Sequence, residues 1–126
     1  MRDQGTLGVY MQTQVVDFAF IAATAFWFVS CLLLVARAFA AGHRARHIVI
    51  ALVPLALVAP VFDSLENLFS FVTVAHPTSI SSPLALVYST MAAIKFAGFA
   101  AVYSITAVGL VVAALTRRRP APVPAL

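Results

Sequence analysis

The chain has 126 residues, 63% of them hydrophobic and 10% charged, with a formal net charge of +4 and a mean hydropathy of +1.02. Soluble domains carry about 45–50% apolar and about 25% charged residues, so this balance excludes a soluble globular domain and a disordered chain. The single cysteine excludes a disulfide scaffold and a cysteine-based metal site, and the length leaves room for one small unit.

Residues 1–16 read as a polar leader with no clear period, expected on the outer surface. A membrane-spanning helix needs about 20 mostly apolar residues. The first such stretch, about 18–36, holds no charge. It does not read as a cleavable signal, although Ala38-Phe39-Ala40 has small-residue character, because Asp3 and Asp17 precede it and Arg37 intervenes. The second stretch covers about 48–74. It contains Pro54 and Pro60, and a kink is expected at Pro60, which would free a carbonyl near the acidic residues that follow. The third covers about 84–115, longer than a bilayer requires, so it should tilt or protrude. Residues 117–126 form a basic, then Pro/Ala-rich tail. The predicted fold is all-α: a transmembrane bundle of three helices within residues 17–116.

Orientation follows from the arginines. Arg37, Arg44 and Arg46 lie in the first link and Arg117, Arg118 and Arg119 in the tail, against Arg2 alone in the leader. The positive-inside rule puts the first link and the C-terminus in the cytoplasm and the N-terminus outside. These arginines serve as topology signals and headgroup contacts, and they need no nucleic-acid partner. Seven Arg against one Lys suits a GC-rich bacterial genome, so the bacterial inner membrane is the expected location.

Three charges sit where lipid should oppose them: Asp63 and Glu66 in the second span and Lys95 in the third. Each central charge costs about 2.5–3.5 kcal/mol, whereas each Leu, Ile, Phe or Val returns about 0.3–0.6 kcal/mol. Sixteen of those apolar residues lie between Ile48 and Val74, so insertion has little margin and a compensating partner is expected. If the last two helices form a hairpin, its midpoint is near Ser79, with Asp63 sixteen residues before it and Lys95 sixteen after. Both then sit at one depth, and Lys95 should reach Asp63 or Glu66. Asp63, Glu66, Asn67 and Ser70 fall at i, i+3, i+4 and i+7, one polar stripe. Asn67 and Ser70 read as hydrogen-bonding support, and Asp17 as a possible third wall of the cluster. Tyr88, Met91, Lys95, Gly98 and Val102 share a face of the third span. Ala93, Ala97 and Ala101 form a small-residue ridge for helix packing. Trp27 and Cys31 read as packing residues, His43 and His47 as headgroup contacts, and His76 as a loop residue.

Asp17-Phe-Ala-Phe20 opening a span, Asp63-Ser-Leu-Glu66-Asn67 after a Pro-containing run and Ile94-Lys95-Phe96 in the last span carry a likeness. Over residues 17–112 the chain resembles a group of small multi-pass bacterial membrane proteins with an Asp-x-x-Glu-Asn helix and a Lys-aromatic final helix. The resemblance implies an arrangement of helices and no activity. Pro60 departs from that pattern.

The chain has no Gly-rich phosphate loop, HExxH, Gly-x-Ser-x-Gly or CxxC. No catalytic residues, metal or cofactor are therefore expected. The leading expectation is an accessory subunit, stabilising or regulating a larger membrane complex such as an envelope lipid or solute transporter. Two alternatives are a homo-oligomeric proton or ion pathway through Asp63, Glu66 and Lys95, and a lipid-binding or lipid-modifying membrane protein.

Overall fold

The computed structural model describes the backbone of residues 2–75 and 82–117 and the side chains of residues 8–70 and 83–117. His76, Ser79, Arg118, Arg119 and the Pro/Ala-rich tail lie outside the described residues. The described chain is helical: α1 (Arg2–Ala38), α2 (Arg44–Ala51), a short 3-10 segment (Val53–Leu57), α3 (Val58–Ala75) and α4 (Ser82–Arg117). Three stretches are long and apolar enough to cross a membrane: Gly8–Ala38, Arg44–Ser70 and Pro83–Arg117.

α1 reaches further toward the N-terminus than expected. The leader lacks proline, so nothing stops the helix from running back through it to Arg2. The second span is interrupted, but at a different proline. α2 ends before Pro54, whose ring removes a backbone donor and crowds the preceding turn. The chain winds as a 3-10 segment with Pro54 near its start and resumes as α3. Pro60 is the third residue of α3, in the first turn, where an amide proton has no intrahelical acceptor and proline is tolerated. The expected kink at Pro60 is therefore replaced by the break at Pro54.

α1 and α4 lie side by side in the same direction. Phe28 meets Phe99 and Tyr103 edge-on, with ring centroids 5.0 and 5.4 Å apart. Further along, Val35 packs where Gly109 has no side chain. α3 runs antiparallel to α4, with Ala59 against Gly98 and Ser70 against Tyr88. The C-terminal ends of α1 and α4 and the start of α2 thus share one end of the bundle, where Arg117 Nε donates to Ala38 O at 3.1 Å.

The core is small: Phe28, Leu32, Val35, Ala36 and Phe39, joined by Val49, Ala56, Ala59, Val102 and Ala113. On α1 the buried Gln14, Ile21, Phe28 and Val35 recur every seven residues, the seam by which one helix faces its neighbours. Large apolar side chains elsewhere point outward, Phe26 at 77% exposure and Trp27 at 57% among them. Trp27 is thus an outward residue rather than the packing residue expected, whereas Cys31 is buried. An apolar exterior around a thin core is the surface of a membrane-embedded protein, for which lipid replaces water as the surrounding solvent.

Candidate functional site: a lysine between two carboxylates

α3 presents Asp63, Glu66 and Ser70 along one face because residues three and four apart stack on a helix. The facing side of α4 carries Lys95 and, two turns earlier, Tyr88. Lys95 Nζ lies 3.0 Å from Asp63 Oδ1 and 2.7 Å from Glu66 Oε2. One ammonium therefore donates to two carboxylates on successive turns. The three side chains are only 17–22% exposed, and the Phe96 ring centroid is 5.6 Å from the ammonium. Charges so placed need each other: the desolvation of each is offset by the partner and by charge-assisted hydrogen bonding.

A second set of contacts continues the stripe. Ser70 Oγ donates to Glu66 O at 3.1 Å and is hydrogen-bonded to the Tyr88 hydroxyl, which also approaches Glu66 O at 3.2 Å. Ser64 Oγ donates to Pro60 O at 2.9 Å. Tyr88 thereby clamps α3 and α4 one turn beyond the ion pairs. Asn67 is half-buried, with no hydrogen bond among the described residues.

Asp17 does not join the cluster by a hydrogen bond or ion pair among the described residues. The register that sets Val35 beside Gly109 puts Asp17 level with residue 91, close to the level of Glu66 given Ser70 against Tyr88, so height alone does not separate it from the cluster. The alanine ridge is also displaced. Ala93 and Ala97 are exposed and Ala101 is half-buried. At about 100° per residue, positions two before and two after Lys95 lie nearly opposite it. Once Lys95 turns toward α3, Ala93 and Ala97 must face outward. Close approach within the chain is made instead by Gly98, where an added Cβ would lie 3.0 Å from Ala59 Cβ.

Sequence reasoning missed two residues. Tyr88 was legible as a face-mate of Lys95, but its part in clamping the helices was not. Gln14 is 6% exposed, and its Oε1 accepts no hydrogen bond among the described residues. Gln14 shares a seven-residue spacing with the buried Ile21, Phe28 and Val35, which the surrounding apolar residues mask in the sequence. His43, expected as a headgroup contact, caps α2: its Nδ1 accepts from Ala45 N at 3.1 Å, and its ring stacks on Phe39 at 5.1 Å. His47 is exposed.

Among the described residues no three His, Cys, Asp or Glu side chains converge as a metal site. The cluster has one base and two acids, so it can lock helix register or exchange a proton. No family model, curated protein or solved structure matches the chain.

Proposed function

We propose that this chain is an accessory subunit that packs against a larger integral membrane protein and stabilises or regulates it, most plainly an envelope lipid or solute transporter. One observation carries the reading: the mid-span charged groups are engaged with one another while the outward faces are largely apolar. Lys95 is taken by Asp63 and Glu66, and Tyr88 by Ser70 and Glu66 O. A polar stripe turned inward does structural work, and it leaves an apolar exterior that includes Ala93 and Ala97. Small residues on an outward helix face let a second helix approach closely. In this reading the chain crosses the bacterial inner membrane three times, with the N-terminus outside and the arginine-rich end in the cytoplasm.

The test is extraction in mild detergent at native expression, followed by mass measurement of the particle. A complex containing a larger membrane protein is the expected result. A lone monomer with no stoichiometric companion overturns the proposal.

The two-to-one ratio of carboxylates to ammonium favours a second reading, a proton pathway in a homo-oligomer. Three helices enclose no water-filled path by themselves, so this reading requires several copies. Purified protein in liposomes would then carry a proton flux that Glu66→Gln abolishes.

A further inference from the structure

The arginine-bearing end of the bundle has no acid of its own. The four acidic residues are Asp3, Asp17, Asp63 and Glu66, and the ion pairs among the described residues all involve Lys95. Asp63 is seventeen residues along the second span from Arg46, about 25 Å at a helical rise. Arg37, Arg44, Arg46 and Arg117 therefore draw counter-ions from outside the described chain. Arg117, which shares a second cleft with Arg37, is engaged with Ala38 O, whereas Arg37 and Arg46 make no hydrogen bond among the described residues and line the same cleft.

That cleft, about 380 Å³, lies between α1 and α2. Arg37 and Arg46 line it together with Leu33, Leu34 and Ile50, and Ser30 lies two turns before Arg37 on α1. Leu33, Leu34 and Ile50 are 43–61% exposed. The chemistry changes along the cleft from guanidinium to aliphatic. Guanidinium forks match phosphate oxygens in geometry and charge. The aliphatic walls match the hydrocarbon that an amphiphile carries below its headgroup.

We propose that Arg37, Arg46 and the apolar wall beside them bind one anionic phospholipid, held by its phosphate. A free phosphate would satisfy the arginines and leave Leu33, Leu34 and Ile50 uncovered; a phospholipid covers both. A choline headgroup sets a cation against the guanidiniums, so the site prefers phosphatidylglycerol to phosphatidylcholine. The volume suits a glycerophosphate and its first acyl carbons, with the tails continuing along the outer face of α1. This site stands independently of the accessory-subunit reading, since it uses neither the charge cluster nor the alanine ridge.

The chain provides its own reporter. Trp27 is its one tryptophan, exposed and seven residues before Leu34 on the same face of α1. The full chain is reconstituted in phosphatidylcholine vesicles, and bromine-bearing acyl chains are introduced on either phosphatidylglycerol or phosphatidylcholine. Trp27 fluorescence should be quenched at a roughly tenfold lower proportion of brominated phosphatidylglycerol. Arg37→Gln with Arg46→Gln should remove that preference. Arg44→Gln with Arg117→Gln, which deletes two charges that do not line the cleft, should keep it. Arg37→Lys with Arg46→Lys, which retains charge and guards against a folding failure, should weaken it. Equal quenching by both lipids, or equal loss in the two glutamine pairs, overturns the site. Loss of the preference in millimolar inorganic phosphate overturns the lipid and assigns the site to a soluble phosphate.

Discussion

Gly98 on α4 meets Ala59 on α3 so closely that a Cβ on the glycine would lie 3.0 Å from Ala59 Cβ and 3.3 Å from Ala59 N. Ala59 is one turn before Asp63, and Gly98 is three residues after Lys95. The contact therefore sets the separation across which the lysine reaches both acids. Helix backbone cannot yield as a flexible side chain can. Gly98→Ala gains helix propensity of about 1 kcal/mol but must push α3 by a few tenths of an ångström, leaving a small net loss. Gly98→Val adds bulk with no room and should cost about 1–3 kcal/mol. Unfolding in mixed micelles measures both, and Gly98→Val no less stable than the parent would contradict the contact.

The ion pairs are tested by who is left alone. Lys95→Met strands two partly buried carboxylates, a change expected to cost about 3–5 kcal/mol in the same unfolding assay. Adding Asp63→Asn and Glu66→Gln removes the stranded charges and should recover most of that loss. The recovery is the decisive reading, because independent sites would add their losses instead.

Pro54 and Pro60 should differ sharply. Pro54→Ala restores a backbone donor at the break, so the 3-10 segment (Val53–Leu57) should become α-helical and protect its amides in hydrogen exchange. Pro60→Ala, in the first turn of α3, should leave exchange nearly unchanged and shift stability by under about 1 kcal/mol. The opposite ranking would place the break at Pro60.

Gln14 buries an amide whose Oε1 has no hydrogen-bond donor among the described residues. Gln14→Leu removes that burden, about 1–3 kcal/mol for an unsatisfied buried group, and should stabilise the isolated chain. A loss of stability would mean that the amide is satisfied within the fold.

What could be read in advance divides by the rigidity of the rule. The Asp63–Lys95 match followed from equal distances to a midpoint near Ser79, since two antiparallel helices of fixed rise allow little drift. The same pairing implied that Ala93 and Ala97 face away, because position on a helix fixes direction. The seam Gln14-Ile21-Phe28-Val35 was hidden, because α1 is apolar almost all round and contrast is what reveals a buried face. The choice between two prolines was equally obscure: a proline in a first helical turn is harmless and one in an interior is not, and a continuous apolar run does not say where a helix starts.

The α1–α4 interface rests on an exchange of volume between Val35 and Gly109. A Cβ on Gly109 would overlap Val35 Cγ1, lying nearer than carbon atoms approach. Val35 is fully buried, and its branched side chain has few alternative rotamers. Gly109→Ala should therefore force the helices apart and cost about 1–3 kcal/mol. Val35→Ala alone should also destabilise, by leaving a gap against the glycine. Together the two changes remove two methyl groups from α1 and place one on α4, and the pair should be more stable than the summed losses imply, by about 0.5–3 kcal/mol. That compensation is specific to contact between these two positions. Strict additivity of the two losses in a thermodynamic cycle would mean that α1 and α4 meet in another register, and the height assigned to Asp17 would change with it.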